Sequence, residues 1–359
     1  MERLSKIEAI ATVMPENNVS QKEIASFARR IFKDRYKDID RLLQVFDNGD
    51  IVNRQFVMPI DWYSEAHSFG EKNDTFIEKA VDLGHKAISK CLQDAHVTKL
   101  EIDAIFCVTS TGVSTPSLDA RIMNRLNMSP HTKRIPIWGL GCAGGAAGLS
   151  RGYEYCRAFP EARVLILCIE LCSLTFQPND QSKSNLIGTS LFSDGVACVL
   201  MQGEKVKSRH THVPVITHTR STLMPDSLRV MGWDVSDTGL HVVFSRDIPS
   251  IVTDWLDENV SSFLSAIDRS KENIDQFVAH PGGKKVLTAY EQSLQLPSGH
   301  TEPAREVLRN HGNMSSPTVL YVFKEIIDRG PTAGEQGLVT ALGPGFCSEL
   351  LWVEWREER

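Results

Sequence analysis

The chain has 359 residues, of which 42% are hydrophobic and 23% are charged, the balance of a globular protein with two ordinary domains or one large duplicated one. Its formal net charge is −6, and lysine and arginine are spread along the chain, which argues against a nucleic-acid-binding surface. No apolar stretch is long enough to span a membrane and no signal peptide is evident, so we expect a cytoplasmic protein.

The first hundred residues contain two sequence patterns that are typical of helix starts. Ser20 and Glu23 have the spacing of a capping box before an amphipathic segment. Thr75 and Glu78 have the same spacing and predict the start of a long helix that ends near Leu92. Residues 47–70 are rich in Asn, Asp, Gly and aromatic residues, and we predict an irregular segment there.

Beyond residue 100, apolar runs of strand length alternate with helical patterns, which predicts an α/β fold. Runs without strict polar alternation are typical of strands buried on both faces. The predicted strands are 102–108, 164–169, 196–201, 277–279, 338–341 and 350–355. The predicted helices are 116–126, 143–159, 248–267, 284–294, 302–310 and 317–327.

The chain also repeats itself. Residues 101–110 resemble residues 273–282, and Cys142 and Asn313 follow these segments at nearly the same distance. We predict two duplicated halves, residues 1–205 and 206–359. In such a pair, equivalent turns between strand and helix face each other, so Cys142 and Asn313 should converge on one site. His280 should reach the same site from the end of a strand.

A thiol, an imidazole and a carboxamide stand out because each lies among small residues. Cys142 lies between glycines at a predicted helix start, which favours a reactive thiolate. An imidazolium at His280, in Ala-His-Pro-Gly-Gly, would stabilise that thiolate. Asn313 alone could be a helix N-cap. With His280, it could instead hold the enolate oxygen left when a malonyl thioester loses carbon dioxide.

The cysteines predict no metal site. Most of the eight lie inside apolar runs, as Cys107 and Cys168 do, and no Cys-x-x-Cys pair occurs. We therefore expect free thiols packed as small hydrophobic groups in a reducing compartment.

The motifs carry a family resemblance. The chain resembles type III polyketide synthases, the chalcone and stilbene synthase superfamily, over nearly its whole length. The segments that carry the resemblance are 141–145, 162–165, 175–176, 191–195, 223–227, 279–283, 312–316 and 343–346. It implies a thiolase-like αβαβα layered fold, a homodimer, and Cys–His–Asn chemistry on malonyl-CoA and an acyl-CoA, with no metal or other cofactor.

The resemblance also implies roles for individual residues. It assigns Cys142 as the nucleophile, with His280 and Asn313 as the decarboxylation pair. Phe192 matches a gatekeeper aromatic at the acyl cavity, although plain core packing would also explain it. Gly343 and Pro344 match the loop that shapes the cavity floor. We further expect Arg54 and Gly283 to contact coenzyme A, since arginine suits phosphate recognition.

Several positions depart from the plant enzymes of this superfamily. Val242 takes the place of a cavity phenylalanine, Gln181 that of a cavity threonine, and Ala143 that of the phenylalanine after the nucleophile. These changes disfavour an aromatic starter. Residues 109–116 resemble the bacterial branch, some members of which use fatty acyl starters. We therefore expect a medium- or long-chain fatty acyl starter and an alkylpyrone or alkylresorcinol product.

Three other functions use similar residues. A ketoacyl carrier protein synthase III-type enzyme would use the same trio for a single condensation. A thiolase would need a second reactive cysteine, and the surroundings of Cys347 do not match one. A non-catalytic acyl-CoA-binding partner subunit would not need an intact trio.

Overall fold

A computed structural model of the chain describes residues 4–33, 36, 38–245, 247–297 and 299–358. Its strands are β1 (Ser5–Val13), β2 (Asn17–Ser20), β3 (Asn53–Phe56), β4 (Ala104–Thr109), β5 (Lys133–Trp138), β6 (Arg163–Leu171), β7 (Asp194–Gly203), β8 (His212–Leu223), β9 (Met231–Ser236), β10 (Gly239–Phe244), β11 (Gln276–Ala279), β12 (Gln336–Gly343) and β13 (Cys347–Glu357). Its α-helices are α1 (Gln21–Phe32), α2 (Ile39–Asn48), α3 (Phe69–Ala95), α4 (Leu118–Leu126), α5 (Gly144–Ala158), α6 (Lys183–Leu191), α7 (Ile248–Ser265), α8 (Lys284–Leu294), α9 (Glu302–His311) and α10 (Thr318–Asp328).

Nine strands form one mixed sheet in the order β11-β12-β13-β8-β1-β7-β6-β4-β5. The order β1-β7-β6-β4 in the first half is repeated as β8-β13-β12-β11 in the second. The pairing directions repeat as well: β1–β7 and β8–β13 are antiparallel, whereas β4–β6 and β11–β12 are parallel. A short antiparallel pairing of β1 with β8 joins the two halves. The predicted α/β fold from duplicated halves is confirmed.

Helices cover the sheet in layers. The central helices α5 and α10 contact each other and strands of both halves, and most of their residues are buried. On the outside, α3 packs against β1, β6 and β7, while α7 contacts β13 and α9 contacts β11. This is the predicted αβαβα layering. The chain enters α5 and α10 from turns that carry Cys142 and Asn313, so the layering brings both turns to one region.

The predicted helices and strands beyond residue 100 are all present, but one helix start was predicted wrongly. The capping box of Ser20 and Glu23 is confirmed. The long helix α3 begins at Phe69, not near Thr75, because Ser68 and Glu71 form the capping box. Thr75 lies one turn inside the helix, where its hydroxyl donates to the Glu71 carbonyl. Residues 47–70 are also less irregular than predicted, since they include β3 and a 3-10 helix, Ile60–Ser64.

Candidate functional site

Cys142 lies on a tight turn between β5 and α5. A 3-10 turn, Gly141–Ala143, leads directly into the helix, and Gly141 has a φ of 47°. A methyl group at Gly141 would lie 2.7 Å from Pro344 Cδ, and one at Gly343 would lie 2.5 Å from the Leu140 carbonyl oxygen. The Gly343–Pro344 loop therefore packs directly against the turn that carries the thiol, and both glycines are required by close approach.

Asn313 is the residue that contacts the thiol. Its Oδ1 lies 3.9 Å from Cys142 Sγ and accepts a hydrogen bond from the Ser315 backbone N–H at 2.8 Å. Its Nδ2 donates to the Gly282 carbonyl at 3.4 Å. Asn313 is not the N-cap of α10, because that helix begins at Thr318 after Pro317. The amide thus connects the Cys142 turn to the segment that follows His280.

His280 directly follows β11. Its backbone N–H donates to the Thr340 carbonyl at 2.9 Å, which extends the pairing of β11 with β12. The ring is 2% exposed, and neither ring nitrogen has a hydrogen-bond partner among the described residues. Tyr290 Oη lies 3.4 Å from the His280 carbonyl and interacts electrostatically with Cys142. Through Asn313, the Cys142 turn and the segment that carries His280 therefore meet in one buried region.

Burial shifts the pKa values of Cys142 and His280. It raises the pKa of the Cys142 thiol to about 12, and the charge of Glu170 also raises it, while a hydrogen bond with Ser315 lowers it. Burial lowers the pKa of His280 to about 3. Burial therefore disfavours the charged form of each group. The thiolate–imidazolium pair expected from the sequence stays a prediction.

Glu170 is a buried carboxyl group that the sequence analysis missed. It accepts hydrogen bonds from the Ser110 N–H at 2.9 Å, the Thr111 hydroxyl at 2.8 Å and the Ser316 hydroxyl at 2.9 Å. Ser110 Oγ in turn accepts from the Gly141 N–H. Burial raises the pKa of Glu170 to about 7. The carboxyl group thereby joins the Cys142 turn to the segment after Asn313. The sequence did contain a signal for this group, because Glu170 is the single carboxylate in the mainly apolar strand β6.

A cavity of about 50 Å³ has Phe192 in its wall, and the Phe192 backbone is bridged to that of Asn313. Phe192 and Val242, the residues matched to the family's acyl cavity, both line it. The Phe192 ring contacts Phe244 and Trp233, with ring centroids 5.6 Å and 6.2 Å apart. Cys172 lines the same cavity and interacts electrostatically with Cys142. Its wall is mainly apolar, with side chains that include Ile24, Phe27, Phe56, Ile60, Tyr63 and Phe176.

Two predicted site residues are placed differently from the expectation. Gln181 is exposed, and its carbonyl accepts a hydrogen bond from Tyr36 Oη. It lines an outer cleft, whereas Thr175 lines the inner cavity. Arg54 is only 1% exposed, so it is not positioned on the surface to meet a coenzyme A phosphate. Gln181, expected in the cavity, is thus exposed, and Arg54, expected to contact coenzyme A, is buried.

Gly283 occupies the start of α8. Its φ of 155° belongs to a region that favours glycine, and a methyl group there would lie 3.7 Å from Leu191 Cδ1. Gly283 therefore lies beside the segment that leads to Phe192. The next residue, Lys284, forms an ion pair with Asp50 at 2.9 Å.

Within the described ranges, no group of three or more His, Cys, Asp or Glu side chains is arranged to hold a metal ion. None of the helices described above is both long and apolar enough to cross a membrane.

Comparisons with known proteins cover nearly the whole chain. Residues 2–205 match the family model for the N-terminal domain of chalcone and stilbene synthases, and residues 215–354 match the C-terminal one. A Bacillus subtilis (strain 168) protein provisionally named chalcone synthase is 52% identical, over 98% of this chain and 99% of the relative. The 1,3,6,8-tetrahydroxynaphthalene synthase of Streptomyces peucetius subsp. caesius is 34% identical, over 99% and 94%.

A solved structure is similar in fold and sequence. The crystal structure of 1,3,6,8-tetrahydroxynaphthalene synthase from Streptomyces coelicolor A3(2), a bacterial type III polyketide synthase, superposes with a TM-score of 0.92 at 28% identity, over 98% of this chain and 99% of that one. Matches to both family domains, in order and over the full fold, show that the chain belongs to the chalcone and stilbene synthase family of type III polyketide synthases.

Proposed function

We propose that the chain transfers a medium- or long-chain fatty acyl group to Cys142, extends it with malonyl-CoA and closes the product to an alkylpyrone or alkylresorcinol. The observation that carries the proposal is the meeting of Cys142, Asn313 and the His280 segment beside a mainly apolar cavity. In the first step the thiol sulfur attacks the acyl-CoA carbonyl. The bond to the coenzyme A sulfur breaks, and the thiol proton passes through His280 to the departing sulfur.

The second step uses the two neutral donors. A ring N–H of His280 and the Nδ2–H of Asn313 polarise the malonyl thioester carbonyl. The carbon–carbon bond to the carboxylate then breaks, carbon dioxide leaves, and the electron pair forms an enolate on the oxygen that these donors hold. The enolate carbon attacks the Cys142 thioester carbonyl, and the bond to the Cys142 sulfur breaks. The sulfur departs as the thiolate and takes up a proton from solvent, which restores the thiol for the next round. Neither donor needs to change charge, which suits a site where burial disfavours charged groups.

The cavity wall supports an acyl starter without an aromatic ring. Its side chains are mainly apolar, which favours a hydrocarbon chain through the hydrophobic effect. Val242 contributes a small aliphatic side chain to that wall. Once the chain carries several keto groups, an enol oxygen can attack the thioester carbonyl, which breaks the bond to sulfur and releases a pyrone. For a resorcinol, a carbon attacks a keto carbonyl and water is lost; hydrolysis of the thioester then releases the ring, and its carboxyl group leaves as carbon dioxide. Because decarboxylation drives each extension, the cycle needs no metal or redox cofactor.

We further propose a homodimer formed through β5. This strand is at one edge of the nine-stranded sheet, so one side of its backbone is free to pair with a second copy. Trp138 at its end is 51% exposed, and a second strand would cover it. A measured mass of one chain in solution by light scattering would contradict this arrangement.

Product analysis tests the proposed function. The purified chain is incubated with radiolabelled malonyl-CoA and acyl-CoAs from acetyl to stearoyl, and products are identified by mass spectrometry. We expect alkylpyrones or alkylresorcinols, best from longer starters. A product made from malonyl-CoA alone would refute the fatty acyl starter, and a single-condensation product on acyl carrier protein would favour the synthase III alternative. Absence of carbon dioxide release would favour a non-catalytic subunit.

A further inference from the structure

A buried guanidinium stands in the mainly apolar wall of the cavity. Arg54 comes from β3 and lines the cavity, with its Cζ 5.4 Å from the centroid of the Phe56 ring. Asp194 interacts with it electrostatically, but its carboxylate oxygens accept hydrogen bonds from Val57 and Ser173. No carboxylate of the described residues lies within ion-pair distance of Arg54. A cation held here requires an explanation.

The hydrogen bonds of Arg54 are incomplete. Nη1 donates to the Phe192 carbonyl at 2.7 Å, whereas Nε and Nη2 are buried and have no partner among the described residues. An alkyl chain placed beside them would leave these charged donors unpaired, which is unfavourable. The group that they fit is an oxygen atom with partial or full negative charge.

Arg54 also lies close to the reacting groups. Its Cγ and Cδ pack against Gly312, where a methyl group would lie 2.9 Å from either atom, and Gly312 directly precedes Asn313. Its Nη1 holds the backbone of Phe192 at the cavity wall. Cys172, on the same cavity, interacts with Cys142. A chain that is attached to Cys142 and enters the cavity therefore passes near the guanidinium.

We propose that Arg54 forms an oxygen-binding subsite of this cavity, in which its free N–H groups hold the β-keto oxygen of the growing chain as the enol or enolate. The inference rests on the proposed function, since it requires a chain extended on Cys142. The alkyl tail lies farther along the apolar wall, and the oxygenated end lies at Arg54. The subsite thereby distinguishes an extended β-ketoacyl chain from a plain acyl starter and orients it for the next step.

The test compares two thioesters of equal carbon number on one enzyme preparation. An acyl and a β-ketoacyl N-acetylcysteamine thioester are each extended with malonyl-CoA, and the ratio of their kcat/KM values is measured. Because both values come from one preparation, the ratio does not depend on the folded fraction. We expect Arg54→Met to lower the relative kcat/KM of the β-ketoacyl substrate about tenfold or more, Arg54→Lys to lower it less, and the surface control Arg329→Met to leave it unchanged.

The outcomes separate the subsite from a structural role. An unchanged ratio in Arg54→Met, or an equal loss for both thioesters, would overturn the subsite. A second measurement needs only the unaltered chain: an alkane-2,4-dione should inhibit about tenfold more strongly than the alkan-2-one of equal length, and equal inhibition would also overturn it. If the unaltered chain extends neither thioester, the proposed function itself fails.

Discussion

Phe192 and Asn313 are joined by a parallel β-bridge. The Asn313 N–H donates to the Leu191 carbonyl at 3.0 Å, and the Ser193 N–H donates to the Asn313 carbonyl at 2.9 Å. The backbone thus fixes the aromatic ring of the cavity wall relative to the amide that contacts the thiol. Because both bonds use backbone atoms, a change in the Phe192 side chain can alter the cavity while Asn313 keeps its place.

Replacing Phe192 should therefore change the products more than the rate of decarboxylation. We expect Phe192→Leu to shift starter use or chain length, because a smaller side chain widens the cavity near the thiol, while carbon dioxide release from malonyl-CoA stays within about threefold. Mass spectrometry of the products and a decarboxylation assay measure the two effects. Phe159→Leu, at an exposed aromatic residue, is the control. An unchanged product profile in Phe192→Leu would remove the gatekeeper role.

At Val242 the cavity can be made smaller by a larger side chain. A methyl group at Gly188 would lie 3.3 Å from Val242 Cγ1, so little space surrounds this side chain. Val242→Phe adds an aromatic ring to a narrow cavity, and we expect the kcat/KM of the longest accepted starters to fall about tenfold or more relative to short ones. Val243→Phe is a matched control on the same strand, since Val243 is not part of the cavity wall. Equal effects of both variants on long starters would contradict the placement of the acyl chain.

Cys142→Ala separates the two half-reactions. Without the thiol no acyl group can be carried, so polyketide formation should fall below detection, while some malonyl-CoA decarboxylation survives because His280 and Asn313 remain. Product analysis and carbon dioxide release are measured on the same sample. Cys347→Ala, which removes another thiol, should keep product formation. Undiminished product from Cys142→Ala would refute its assignment as the acyl carrier.

The protonation states predict how alkylation depends on pH. Only the thiolate reacts with iodoacetamide, and burial raises the pKa of Cys142 to about 12. The alkylation rate at Cys142 should therefore rise about tenfold for each pH unit from pH 6 to pH 9, without a plateau. Peptide mass spectrometry follows the modified residue, and Cys142→Ala identifies its peptide. A plateau already reached near neutral pH would instead indicate the thiolate–imidazolium pair expected from the sequence.

The sequence predicted the parts of the fold that depend on buried strands and local caps. The apolar runs of β6 and β7 and the capping box at Ser20 are local features and were found as predicted. The convergence of Cys142 and Asn313 also followed, because the repeated topology places both turns at equivalent points.

Burial of single polar side chains could not be predicted in this way. Arg54 lies in a short polar segment, and only its tertiary surroundings, β2 and the segment around Gly312, bury it. Gln181 was matched to a cavity position from the family resemblance alone, but it lies in the exposed loop before α6. The strand β8 was missed because its second half is largely polar and only partly covered.

Glu170 should make stability depend on pH in a direction opposite to that of an ion-paired carboxylate. Burial raises its pKa from 4.5 to about 7, so between these values the folded chain keeps a proton that the unfolded chain has lost. Stability therefore falls as pH rises through this range and levels off above it, by ~3 kcal/mol for this group. Glu170→Gln resembles the protonated acid, so it should match the unaltered chain near pH 5 and exceed its unfolding free energy by ~3 kcal/mol at pH 8. Urea unfolding at both pH values measures the difference. The exposed control Glu258→Gln should show none, and a Glu170→Gln variant that loses stability equally at both pH values would show that the carboxyl group ionises normally.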